Sequence, residues 1–216
     1  MEPRLANGLL WVDLGSEYRC LSSAVLGGGL APVRTWVNLQ VPSDYARTDP
    51  AAHVAEVAAG FPGPLLGMLT AASVERFQDV SVATARAFAT VGLGHPVVAA
   101  GPMASVAAPL PGTINLFVVS STPLTAAGLA GALQTAVEAK VQALAAAGVP
   151  ARNGPGFATG TASDAIAVAC PRETSGSEPA GFAGPATPTG SDLARAVYEA
   201  VLAGCLADEH WRRDGC

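Results

Sequence analysis

Between residues 159 and 164 the chain reads Thr-Gly-Thr-Ala-Ser-Asp, three hydroxyls and one carboxylate around a single glycine. Such parts suit hydrolysis, which needs an oxygen that attacks or holds the attacking water, and a neighbour that orients it or takes its proton. Asp164, Thr161 and Ser163 are expected to be catalytic and Thr159 to bind substrate; a plain turn or cap role is the competing reading of Asp164. Lys140, the only lysine among 216 residues, is the next candidate. On a helical wheel of about 100° per residue with Leu129 at zero, Lys140 falls near 20°, inside an apolar stripe of Leu133, Leu144, Val137 and Val141. It either snorkels from the edge of that stripe or is a partly buried ammonium that orients an anion or a carbonyl, or gives up a proton.

Further polar side chains stand where apolar runs end. Ser22 and Ser23 precede Gly27-Gly-Gly29, Thr70 closes Leu65-Leu-Gly-Met-Leu-Thr70, and Asn115 opens Gly112-Thr-Ile-Asn115. With His95 and Thr187 these form the expected substrate-binding set. Glu138 is a candidate catalytic carboxyl, although it falls near 180° on the same wheel, so it joins Lys140 only if the helix is buried on both sides. Histidines 53, 95 and 210 and cysteines 20, 170, 205 and 216 are scattered, with neither metal-ligand nor disulfide-framework spacing. No metal and no cofactor are expected, and the thiols should be reduced.

The elements that must position these groups follow from pattern. Gly112–Ser121 and Ala158–Cys170 have the continuous apolar character of buried strands, and between them an alanine-rich helix runs from Thr125, a good N-cap, to Gly148, a good stop. Earlier, Leu9–Leu14 and Tyr18–Val25 read as a hairpin turned at Gly15-Ser-Glu17. Val33–Val41 reads as a third strand, 51–59 as a helix, Leu65–Thr70 as a short buried strand, and 71–77 as one or two helical turns. Asp79–Leu93 reads as one long strand that delivers His95 to its end. A small-residue loop is expected over Gly101–Pro111, and a last helix over Ser191–Leu206. This pattern predicts an α/β (α+β) fold: one layered sandwich with a largely buried mixed β-sheet flanked by helices. It is a single domain over 1–206 with a charged tail at 207–216, and the Gly/Pro-rich 171–188 is a mobile cover beside the site.

Composition narrows the partners. Half the residues are hydrophobic and 13% charged, which points to a generous core and a buried homo-oligomer interface. A formal charge of −5 without a basic cluster argues against nucleic acid. No apolar run reaches the roughly 18 residues of a membrane span, and the N-terminus lacks a signal peptide, so no membrane association and a cytoplasmic location are expected.

Taken together, Leu21-Ser-Ser-Ala24 with Gly27–Gly29, Val37-Asn-Leu-Gln-Val-Pro42, Met68-Leu-Thr-Ala71, Gly92-Leu-Gly94, Gly112–Asn115, Glu138-Ala-Lys140, Thr159-Gly-Thr161 with Asp164, and Gly184–Gly190 resemble the adenosylcobinamide amidohydrolase family. The resemblance implies hydrolysis of the amide that joins the aminopropanol arm to the corrin ring, so the implied partner is a small-molecule corrinoid substrate. The alternative is a corrinoid-binding protein that has kept the pocket and lost or altered the chemistry. The chain departs from the family where many members carry Asn in place of His95, and Lys-His-Thr in place of Pro185-Ala186-Thr187. Those departures bear on activity if the replaced groups act in catalysis, and on substrate preference if they touch the corrin's periphery. The strand-helix-strand layout also loosely resembles ornithine acetyltransferases and related aminopeptidases, which implies a layered sandwich and a hydroxyl nucleophile.

Overall fold

Three aromatic rings fill the centre of the molecule, and the chain curls a sheet around them. The computed structural model describes residues 1–102, 112–172 and 178–214. Of the loop expected at 101–111, positions 103–111 lie outside the described residues, as do 173–177 of the Gly/Pro-rich segment. The strands are β1 (Pro3–Ala6), β2 (Leu9–Ser22), β3 (Gly29–Gln40), β4 (Leu65–Thr70), β5 (Gln78–Val82), β6 (Ala85–Val91), β7 (Pro96–Val97), β8 (Ile114–Ser120), β9 (Gly160–Thr161) and β10 (Ala165–Pro171), and the helices are α1 (Pro50–Val57), α2 (Ala126–Ala146) and α3 (Pro188–Asp214). One mixed sheet runs β4-β3-β2-β10-β8-β6-β5, with β1 added to β2, and β7 pairs only with β9. The β3–β4 and β8–β10 pairs are parallel. Among the described residues no helix is long and apolar enough to cross a membrane.

Period-two alternation sorts the side chains. The inward positions carry Trp36, Phe88 and Phe117, with Leu10, Val12, Met68 and Ala167 around them. Trp36 stacks on Phe117 at 5.0 Å and 17°, and Phe88 lies 6.2 Å from Phe117. The outward face of β6, β8 and β10 is covered by α2 and α3, and that of β3 and β4 by α1. The expected layered α/β sandwich is thus present, with the sheet curled until Asn115 on β8 reaches the backbone of Leu69 on β4.

Several local expectations are corrected. Leu9–Ser22 is one strand, because both of its halves pair with the same partner, β3, and the chain between Asp13 and Tyr18 only bulges. Gly15 takes φ +76 there, and its N–H donates to Asp13 Oδ1 at 2.8 Å. Conversely, the single strand expected over 79–93 is a hairpin of β5 and β6. Its turn contains Ala83 at φ +37 and lacks the usual Gly, Asn or Asp, so the sequence carried no turn signal. Asp192 of α3 holds that turn, accepting from Thr84 N–H and Oγ1. The final helix starts at Pro188, capped by Thr187, and continues through the expected charged tail to Asp214.

On α2 the N-cap at Thr125 and the stop at Gly148 are present, yet the buried face is not the stripe of large residues. It carries Ala132, Ala136, Ala139 and Ala143 with Leu129 and Leu144, while Val137 is exposed. Alanines bring α2 close to α3 and to the sheet, so the small residues mark the contact. Lys140 still falls on the buried side.

Truncating the central ring tests this arrangement. Trp36→Ala should cost about 3–5 kcal/mol in urea unfolding, whereas Val137→Ala on the exposed face should stay within about 0.5 kcal/mol. Comparable losses from the two would disprove the assignment of inner and outer faces.

Candidate active site

The parallel register of β8 and β10 sets Ala165 beside Asn115, and so brings the start of β10 against the start of β8. Asp164, one residue earlier, takes a backbone N–H from Ile114 at 3.1 Å through Oδ1. It also takes the N–H of Thr161 at 3.1 and 3.2 Å on its two oxygens, and a short hydrogen bond from the Thr161 hydroxyl. On Oδ2 it forms a short ion pair with Lys140, which rises from the last turns of α2. Lys140 is only 6% exposed. Of the two readings open from sequence, the structure has no snorkelling lysine but a buried ammonium paired with Asp164. Gly160 makes room for the pair, since a Cβ there would stand 2.7 Å from Lys140 Nζ and closer still to Asp164 Oδ2.

Beside this junction lies a cleft of about 370 Å³ lined by Ser23, Thr70, Thr113, Ser163 and Asp164, with Tyr45 and Val25 toward its edge. Ser163 is exposed and its Oγ lies 2.8 Å from Thr113 Oγ1, either of which can donate. Thr70 is buried and accepts the N–H of Ala72. Ser23 Oγ accepts the N–H of Ile166, fixing the loop after β2 to β10.

Beneath the cleft the inward face changes character within one pleat. On three strands the inward position two residues from the aromatic is polar: Asn38 follows Trp36, Thr90 follows Phe88, and Asn115 precedes Phe117. Asn115 Nδ2 donates to Asn38 Oδ1 and to Leu69 O, both at 2.8 Å, and Asn38 Nδ2 donates to Thr90 Oγ1 at 2.9 Å. Asn115 Oδ1 has no hydrogen-bond partner among the described residues. This amide layer ties β3, β6 and β8 together and, through Leu69, fixes the β4 wall of the cleft.

The structure therefore gathers Asp164, Thr161, Lys140, Ser163, Thr70 and Ser23, with Asn115 just below. It does not gather the rest. Glu138 sits on the exposed face of α2, bonded to Gln134 at 3.0 Å. Ser22 is buried and spends its hydroxyl on Ile166 O and Ala24 N. Thr159 Oγ1 accepts the N–H of Ala99. The backbone of His95 lies close to Gly112, but His95 does not line the cleft among the described residues. Thr187 caps α3 through Gly190 N–H. Two of the glycines at 27–29 are held by close packing, since a Cβ at Gly27 would strike Leu65 O and one at Gly28 would strike Ala24 O, while Gly29 stands in open space at φ +82.

The described ends of the Gly/Pro-rich segment do not line the cleft. The segment leaves β10 at Pro171, and at a rise of about 3.3 Å per residue the strand carries the chain roughly 20 Å from Asp164. Its described part packs at the start of α2, where Ala180 N–H donates to Pro123 O, and Thr125 N–H to Ala180 O. Residues 173–177 of the expected cover lie outside the described residues. Sequence reasoning missed Asn38, Thr90, Thr113 and Tyr45; for the first two, a signal existed in polar residues at inward-facing positions of otherwise apolar strands.

The description "adenosylcobinamide amidohydrolase" belongs to the family whose profile matches residues 2–213. An adenosylcobinamide amidohydrolase of Halobacterium salinarum is 34% identical over 199 residues, covering 86% of this chain and 79% of that protein. One of Methanosarcina mazei is 32% identical over 191 residues, covering 84% and 88%. A solved Pyrococcus horikoshii structure aligns with 95% of this chain and 79% of its own, at 13% identity and a TM-score of 0.46.

If the room left by Gly160 matters, Gly160→Ala must displace the Lys140–Asp164 pair. It should cost about 1–3 kcal/mol of stability, and it should lower turnover of the enzyme's substrate more than Gly60→Ala, which stands in open space just after α1 with no left-handed backbone. Equal behaviour of the two variants in thermal unfolding and turnover would show that the pair tolerates displacement.

Proposed function

The chain belongs to the adenosylcobinamide amidohydrolase family, and on that premise we propose that it hydrolyses the amide between the aminopropanol arm and the corrin ring of adenosylcobinamide, releasing adenosylcobyric acid for cobamide salvage. The observation that carries the reading is the coincidence of that family match over residues 2–213 with a cleft that collects Ser23, Thr70, Thr113, Ser163 and Asp164 from distant parts of the chain.

Hydrolysis adds water across a C–N bond: an oxygen joins the carbonyl carbon, and the nitrogen takes a proton as 1-amino-2-propanol leaves. Ser163 is the hydroxyl best placed to attack or to hold the attacking water, because it faces the cleft and is steadied by Thr113. The Thr161 hydroxyl is committed to Asp164, so Thr161 acts by positioning that carboxylate, as does Lys140. Ser23, at the rim, suits a contact to the substrate's amides. The departure at Pro185-Ala186 lies just before α3, away from the cleft, which supports retained activity. Both oxygens of Asp164 are engaged by N–H, hydroxyl or ammonium donors, which favours a reaction that needs no added metal.

Purified protein incubated with adenosylcobinamide should yield cobyric acid by chromatography, with a rate unchanged by a chelator. Asp164→Asn and Ser163→Ala should each lower kcat by on the order of 10² or more, while Ser23→Ala should mainly raise KM. Binding without any cobyric acid would leave a corrinoid-binding protein, and a rate abolished by chelator and restored by zinc would make the site metal-dependent.

A further inference from the structure

The cleft has two unlike parts. Its buried lining sets Thr70 and Thr113 among Val41, Met68 and Ala165, with Asp164 beside them. Its more exposed lining includes Val25, 46% exposed, Pro42 and the half-buried Tyr45. Tyr45 is held from α1: its hydroxyl lies 2.9 Å from His53 Nδ1, and the two rings stack at 5.5 Å and 13°. An aromatic ring fixed edge and face at the lip of a cleft is a preorganised apolar platform.

Size decides what enters. Pockets that enclose a drug-sized ligand run to roughly 300–1,000 Å³, and at about 370 Å³ this cleft stands at the small end. A corrin macrocycle with its amide side chains is far larger than such a ligand, whereas a propionamide arm ending in aminopropanol is far smaller. Resting on the reading of cobinamide as substrate, we propose that only the aminopropanol amide arm enters the cleft, and that the corrin ring stays outside, seated on the lip formed by Val25, Pro42 and Tyr45. Tyr45 is then a specificity-determining residue that touches the ring, and His53, which no sequence pattern tied to the site, positions it. The polar groups of Thr70, Thr113, Ser163 and Asp164 read the amide, and the lip reads the macrocycle.

Cobyric acid separates ring from arm, because it keeps the corrin and lacks the aminopropanol. Its affinity for the full chain is measured by equilibrium dialysis, which needs no turnover. Tyr45→Ala and Val25→Asp should each weaken cobyric acid binding by about tenfold, the size of one lost ring contact, and Tyr45→Phe should restore it to within about twofold. For cobinamide the same variants should raise KM with kcat within about threefold of wild type. Affinity for cobyric acid unmoved by both Tyr45→Ala and Val25→Asp would overturn the proposal. Wild-type turnover of cobinamide tells the two claims apart. With turnover present and cobyric acid affinity unmoved, the docking lip is wrong and the activity stands; with turnover absent and affinity following the lip variants, the activity is wrong and the docking stands.

Discussion

Two opposite charges taken out of water at the junction of α2, β9 and the start of β10 impose an order on everything near them. Desolvating an ammonium and a carboxylate costs several kcal/mol each, and only close contact with further hydrogen bonds offsets it. Here the offset is visible: Asp164 receives Lys140, the Thr161 hydroxyl and the N–H groups of Thr161 and Ile114. These donors come from three elements, so satisfying one carboxylate fixes the last turns of α2, the short β9 strand and the first residue of β8. Ser163, next in the chain to Asp164, inherits that placement and comes to rest against Thr113.

The same logic extends inward. A curled sheet packed with Trp36, Phe88 and Phe117 gives a rigid apolar centre, and the amide layer of Asn38, Thr90 and Asn115 closes it toward the cleft. Buried amides are tolerated because they bond to one another, and that bonding specifies which strands meet. The cleft is thus walled by strands whose spacing is set from below, while its charged corner is set from the side by α2. The mouth follows different rules, with its lip set by α1 through the stacked Tyr45 and His53.

Much of this was legible in the sequence. The β8-α2-β10 unit, the N-cap at Thr125 and the odd position of Lys140 follow from pattern alone, because they depend on local propensity and on one conspicuous cation. The grouping of Asp164 with Thr161 is local as well. What pattern could not supply is tertiary. Leu9–Ser22 looked like two strands because a bulge and a hairpin turn both use glycine, and only the shared partner β3 distinguishes them. The turn at Ala83 was silent because its stabiliser, Asp192, lies more than a hundred residues away. Glu138 could join Lys140 only if α2 were buried on both sides, and its face is exposed. Ser22 and Ser23 looked equivalent, yet alternate strand positions send one hydroxyl into the backbone and the other to the rim.

A double-mutant cycle on the ion pair bears most directly on this account. Urea unfolding of Lys140→Met, Asp164→Asn and the combined variant separates a coupled buried pair from two independent residues. Removing Lys140 alone should cost about 3–5 kcal/mol, because it strands a buried carboxylate, and the double variant should be clearly more stable than the sum of the single losses allows. Losses that simply add would contradict the account, since the pair would then not be the constraint that holds the cleft in shape.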